Sequence, residues 1–297
     1  DIIADHEGNI WAATNSLLRH DYKSDRFTRY TPHPPQPEHT DYIYGFVYED
    51  QENRLWFGYW QTLYLFDRET QKLIEYPFYK GKKSDLGSEN WHFIKMVQDE
   101  EGRLWIATNM AGLLSFQYNN PASFEQYRFN RNKSSIADDR ISDMCIDGQN
   151  RFWITFKDGI GGVDLFDLPK RKFAHHSHDP NDLYSLSDIS VRSVYNDRSG
   201  NVWFGTQSSG FNIIDPNRFK FGHFRHDENR NSVSHDVIHS FAEDRNGKVL
   251  IGHWFGFDYY DPETNQFKQY LTEKNDPASH LPGAQTMCLD QIGNLWI

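Results

Sequence analysis

The chain is poor in the features that identify most protein classes at sight. Among 297 residues there are two cysteines and four methionines, so no disulfide lattice or cysteine-rich metal centre can organise it. Cys145 and Cys288 fall at equivalent positions of a repeat, in units far apart along the chain. They read as buried free thiols, not as a disulfide. Positive charge is also scarce: 31 Lys and Arg stand against 42 Asp and Glu, a formal net charge of −11. Nucleic acid and anionic lipid both require a Lys/Arg face, so neither is an expected partner. No apolar run approaches the ~20 residues of a membrane helix. The N-terminus has no signal-peptide pattern, and both absences fit a piece cut from a longer chain. Helical periodicity is missing, as are a nucleophile elbow, a phosphate-cradling glycine loop and a dinucleotide fingerprint.

What the chain does have is aromatic residues and a repeat. Aromatics make up 16% of it, as 22 Phe, 16 Tyr and 9 Trp, which suits many short strands with half-buried faces. An Asp is followed three residues later by Gly or Asn and six residues later by Trp. The pattern reads as Asp5/Gly8/Trp11, Asp50/Asn53/Trp56, Asp99/Gly102/Trp105, Asp147/Asn150/Trp153, Asp197/Gly200/Trp203, Asp244/Gly247/Leu250 and Asp290/Gly293/Trp296. A second Asp, Tyr118 in one unit, precedes an aromatic or Leu by six residues: Asp21/Phe27, Asp67/Leu73, Tyr118/Phe124, Asp167/Phe173, Asp215/Phe221 and Asp261/Phe267. Successive anchors lie 45 to 50 residues apart.

Each unit reads as four strands. In the fifth, strands are expected at 191–196, 201–206, 211–214 and 219–224, with turns at Asp197–Gly200 and Asp215–Arg218. A three-residue hairpin loop that ends at positive φ explains the Gly or Asn, and the Asp can bond the backbone two residues on. The repeated Trp is then a core block. Four antiparallel strands and a long polar connector per unit describe a β-propeller blade. The expected fold is therefore all-β, one repeat domain over 1–297. Complete blades are expected at about 1–31, 42–79, 91–129, 140–175, 189–226 and 237–272, with a partial blade at 284–297. Because an open sheet edge is unfavourable, six blades and a fraction point to a piece of a seven-bladed ring.

Units such as ISVRSVYNDRSGNVWFGTQSSGFNIID and FIKMVQDEEGRLWIATNMAGLLSF resemble the two-component regulator propeller repeat. Leu250 and Tyr118 are mild departures from it. The resemblance implies a periplasmic sensing module of a hybrid two-component sensor, part of an inner-membrane protein. It implies an oligosaccharide ligand, adjoining propeller and β-sandwich domains, a homodimer, a membrane-linked histidine kinase, no cofactor and no catalysis in this region.

Candidate ligand residues come from the loops between second and third strands: Asn15-Ser16, Tyr59-Trp60-Gln61, Asn109-Met110, Phe156-Lys157-Asp158, Gln207-Ser208 and His253-Trp254. Trp60, Trp254 and the connector residue Trp91 lie outside the repeat frame, so core packing does not require them. Indoles stack on sugar rings while planar polar groups take the hydroxyls. A carbohydrate face is therefore expected from Trp60, Trp91 and Trp254 with Gln61, Asn109, Lys157, Gln207 and His253. Residues opening the innermost strands, namely Tyr44, Arg140, Arg192, His239 and Gln285, are further candidates, the arginines for an anionic ligand. His175-His176-Ser177-His178-Asp179 has no companion ligands at metal spacing and reads as a solvated connector. Two alternatives remain: a protein-interaction propeller, and a streptogramin-lyase-like enzyme using His239 or His253 with Glu243.

Overall fold

The structure is a computed structural model that describes residues 1–32, 45–87, 90–131, 134–157, 161–182, 184–215, 220–271 and 283–297. It divides into two compact units, Asp1–Ile141 and Ser142–Ile297. The first holds one sheet of β1 (Ile2–Ala4), β2 (Ile10–Ala13), β3 (Leu17–Asp21) and β4 (Arg26–Tyr30). A second sheet is β5 (Gly45–Glu49), β6 (Leu55–Tyr59), β7 (Thr62–Asp67) and β8 (Lys72–Glu75). The third is β9 (His92–Gln98), β10 (Arg103–Asn109), β11 (Leu113–Gln117) and β12 (Asn120–Tyr127).

The second unit begins with β13 (Ile141–Ile146), β14 (Arg151–Phe156), β15 (Val163–Asp167) and β16 (Lys172–His176). Next come β17 (Val191–Asn196), β18 (Val202–Thr206), β19 (Phe211–Asp215) and β20 (Lys220–Phe224). A sixth sheet is β21 (Ile238–Glu243), β22 (Val249–His253), β23 (Gly256–Asp261) and β24 (Gln266–Leu271), followed by a pair, β25 (Cys288–Leu289) and β26 (Leu295–Trp296). In every four-stranded sheet the strands pair in chain order. The fold class is the all-β propeller expected, with six complete blades and part of another.

The first turn of each blade forms for the reason the sequence suggested. Gly8, Asn53, Gly102, Asn150, Gly200, Gly247 and Gly293 all have positive φ, between 56° and 90°. The repeat Asp does more than start the turn. In the fifth blade one oxygen of Asp197 accepts the Asn201 N–H at 2.8 Å, and the other accepts the Trp203 indole N–H at 2.8 Å. The same carboxylate-to-indole bond holds Trp11, Trp56, Trp105 and Trp153 at 2.7 to 3.0 Å. Thus the largest side chain of each blade enters the core with its one polar atom satisfied, which a buried indole requires. Trp11, Trp56, Trp105, Trp153 and Trp203 are fully buried.

The sixth blade solves the same problem differently. Leu250 stands where Trp is expected, and it is buried. Tyr259, on the third strand, donates its hydroxyl to Asp244 at 3.0 Å in place of an indole. Burial opposes ionisation of Asp244, but the Lys248 and Asn246 amides and the Tyr259 hydroxyl outweigh it and hold the carboxyl below its usual range. Burial also pushes Tyr259 itself up to about 12, reinforced by the neighbouring carboxylate.

The connectors are pinned where they pass the blades. Ser185 Oγ accepts the Asp179 N–H and donates to the Asp179 carbonyl, each at 2.9 Å. Ser232 does the same with Asp227, and Ser135 with Asn130. The next residue of each, Leu186, Val233 and Ile136, is fully buried. The serine-aliphatic pattern is therefore a latch: a hydroxyl closes the loop and an aliphatic side chain anchors it. The boundary at His175 also shifts, because His175 and His176 belong to β16. Cys145 is buried as expected, whereas Cys288 is only half-buried in the short final pair.

Candidate ligand-binding cleft in the second unit

Two positions in the second unit leave the regular ladder. Val191 pairs with Thr206 and Ser193 with Gly205, so Arg192 is an extra residue without a partner in the ladder. Ile238 pairs with His253 and Ser240 with Gly252, which makes His239 the same insertion one blade later. Such bulges re-aim a side chain out of the pleat and are enriched beside functional sites. Gly205 allows the close approach beneath the first bulge: a Cβ there would stand 2.3 Å from Ser193 Oγ.

Both bulge residues line one cleft of about 580 Å³, together with Ser142, Phe156, Lys157, Ile189, Ser190 and Gln207. The volume is that of an ordinary small-ligand site. Its polar groups are set by local bonds. Ser190 donates Oγ to Gln207 Oε1 at 2.9 Å, and the Gln207 amide N–H reaches the Ser190 carbonyl at 3.0 Å, so the Gln207 side-chain NH2 is left as a donor. Ser142 shares a 2.8 Å hydroxyl bond with Thr155. Arg192 is exposed and makes no ion pair among the described residues. His239 Nε2 has no hydrogen-bond partner among the described residues. Burial, then the charges of Arg192, His235 and His253, push the His239 imidazole down to about 4, so it is neutral at physiological pH. Trp254, 48% exposed, meets His239 edge-on at 4.5 Å and extends that side with an apolar surface.

Four of the expected residues, Lys157, Arg192, Gln207 and His239, are thus brought together, with Trp254 adjoining. Others are not. Trp91 is a correction: it is 0% exposed, its Nε1 bonds the Lys83 carbonyl at 2.9 Å, and it packs against Phe93. It anchors its connector, and a buried indole offers no face to a sugar. His253 is a second correction. It is 0% exposed, and its Nδ1 accepts the Phe255 N–H at 3.2 Å within the β22–β23 hairpin. Asn109 is buried in a bridge to Arg140. Trp60, at positive φ, is half-buried and stacks on the buried ring of His92 at 5.6 Å, with half-buried Gln61 beside it. All four of Trp60, Gln61, Trp91 and Asn109 belong to the first unit.

Ser142, Ile189 and Ser190 were missed, and a signal existed for the first. Ser142, Arg192 and His239 each lie five residues before the repeat Asp, so they are one structural position in three blades. Arg140 falls outside that frame and pairs with Asp138 at 3.0 Å. Tyr44 and Asp158 lie outside the described residues. In the histidine cluster, His175 bonds Asp164 at 2.7 Å, His176 packs on Trp153, and His178 meets the Leu186 carbonyl at 2.7 Å. The three rings serve three separate structural tasks. Among the described residues no group of three or more His, Cys, Asp or Glu could hold a metal ion.

Comparison with known proteins agrees with the architecture. Residues 185–208 match the two-component regulator propeller. A curated relative, histidine kinase P4 of Formosa agariphila, is 35% identical over 220 residues, or 74% of this chain and 16% of its own length. An extracellular domain ascribed to the one component system BT4673 of B. thetaiotaomicron has a TM-score of 0.53 at 17% identity, covering 100% of this chain and 44% of that one. Virginiamycin B lyase from Staphylococcus aureus has a TM-score of 0.64 at 11% identity, covering 94% of this chain and 85% of that one. At these identities the structural likenesses speak to the fold alone. The molecule is an all-β propeller, and one of its repeats matches the two-component regulator propeller. The chain spans about a sixth of the curated relative's length.

Proposed function

We propose that this chain is an extracytoplasmic ligand-sensing module of a hybrid two-component sensor. It binds an oligosaccharide in the cleft of the second unit and passes the signal to a membrane-linked histidine kinase. The observation that carries the reading is the pair of bulges that turn Arg192 and His239 out of consecutive blades into one cleft. Planar donors line it and an exposed indole adjoins it, as saccharide recognition needs. The histidine kinase relative and the extracellular neighbour support the placement outside the cytoplasm. Adjoining propeller and β-sandwich domains and a second protomer complete the proposed assembly, through which ligand contact biases the equilibrium between two arrangements.

The lyase alternative is weakened by where its carboxylate sits. Glu243 lies at the far end of β21 from His239, pairs with Arg198 at 3.2 Å and accepts the Arg198 N–H at 2.9 Å. It has no path to the imidazole it would assist. The test is thermal unfolding of the chain with a panel of oligosaccharides. A ligand at a hundred times its Kd adds ~2.7 kcal/mol of stability, and the melting temperature should rise accordingly. Trp254→Ala should reduce the shift. Absence of a shift across the panel, or an identical shift in a Trp254→Ala, Gln207→Ala double variant, would defeat the reading.

A further inference from the structure

The cleft is unusual in its charge. The chain carries 42 carboxylate side chains against 31 basic ones, yet the described lining of the cleft contains Arg192 and Lys157 and no carboxylate. Two acids next in sequence to lining residues, Asp188 and Asp143, are engaged by other donors. Asp188 gives one oxygen to the Ser190 N–H at 2.9 Å and the other to the Ser208 N–H and hydroxyl at 3.2 and 2.6 Å. Asp143 accepts the Met144 N–H at 2.8 Å and the Val194 N–H at 2.9 Å. Both accept backbone N–H groups, and Asp188 also accepts a hydroxyl. Arg192, by contrast, is held out of the ladder with no ion-pair partner among the described residues.

We propose that the cleft is an oxyanion seat and that its ligand is an acidic saccharide, one bearing a carboxylate or a sulfate. The proposal rests on the saccharide-sensing reading above and narrows it. The Arg192 guanidinium takes two anionic oxygens in its planar fork, and Lys157 lines the same cleft. The free NH2 of Gln207 and the hydroxyls of Ser190 and Ser142 bond the remaining oxygens. His239 is neutral, so it offers its ring nitrogen as a hydrogen-bonding group and not as a third cation. Trp254 continues the wall beyond it and takes the adjoining sugar ring. A neutral sugar would leave Arg192 facing only water, so discrimination comes from the one arginine.

The experiment is calorimetric titration of the 297-residue chain with matched pairs of oligosaccharides. One set pairs trigalacturonate with its neutral methyl ester; another pairs sulfated galactan oligosaccharides with their desulfated forms. The acidic member of at least one pair should bind ~10-fold more tightly or better, the size of one charge-assisted hydrogen bond. That preference should weaken in high salt. Arg192→Gln should abolish the preference while leaving the melting temperature unchanged, because the side chain is exposed. The pair that responds tells carboxylate from sulfate. Binding of neutral members as tightly as acidic ones would overturn the oxyanion seat and leave the sensing reading standing. Binding by no member of any pair would remove both. A preference that survives Arg192→Gln would show that the seat lies elsewhere and equally overturn the proposal.

Discussion

The two ends of each blade obey different rules. At one end the Asp-led turn recurs with positive φ and the same carboxylate bonds to backbone, and in five of the six complete blades it holds the same buried indole. At the other end, the loops between second and third strands hold Trp60-Gln61, Asn109-Met110, Lys157, Gln207-Ser208 or His253-Trp254, and no two are alike. The contrast reflects what each end is for. Repetition marks the interactions that every blade needs in order to fold. Variation marks positions that the shared frame does not dictate, and in the second unit some of these converge on a cleft.

That contrast can be broken most severely at the core end. Trp203→Ala should cost about 3–5 kcal/mol, read as a lower urea midpoint, whereas Trp254→Ala at the other end should stay within about 0.5 kcal/mol. Equal losses would show that the loop indole also packs the core. Asp197→Ala comes next. It strands the Trp203 indole N–H and a turn amide, at roughly 2–3 kcal/mol. Tyr259→Phe should cost about 1 kcal/mol, one net hydrogen bond, and a silent substitution would show that Asp244 needs no third-strand donor.

The smallest expected effect is a slope. The folded His239 titrates at about 4, below the ordinary 6.5. Between those values the unfolded chain takes up a proton that the folded chain refuses, so this group's stability is present above pH 6.5 and is lost as pH falls towards 4. His239→Gln should flatten that part of the profile of unfolding midpoint against pH. A profile parallel to that of the parent would show the imidazole to be better solvated than its place in the cleft implies.

The turns were legible in the sequence because positive φ favours particular residues: Gly or Asn stands there in all seven turns, and either can be seen without a structure. The core role of the tryptophans was legible for a similar reason, since their frame never slips through five blades. The bond from Asp to indole was not, because six residues of spacing become a contact only after the turn has folded. Tyr259 was invisible for a further reason: its partner, Asp244, opens the turn between two other strands. The error at Trp91 comes from its connector: standing outside the repeat frame does not free a residue from the core, because a connector latched into the core brings its own aromatic anchors. His253 is the last residue of β22, and its side chain is buried with that strand. In the cleft, the frame supplied Lys157, Arg192, Gln207 and His239, but the bulges that gather two of them leave no mark in the residue types. The frame did mark Ser142, five residues before its Asp, where position and not chemistry was the signal.

The Tyr259–Asp244 bond has a historical consequence. A repeat array diverges by substitution in one copy at a time, and each intermediate must still fold. If the tryptophan of the sixth blade had been lost first, Asp244 would have stood without a side-chain donor and the turn would have been weakened. If tyrosine had arrived first at position 259, the carboxylate could have accepted both donors, and the later change to Leu250 would have cost only volume. Divergence of this kind favours tyrosine before leucine, and a reconstructed ancestor of this repeat is expected to carry Tyr259 while still holding tryptophan six residues after Asp244.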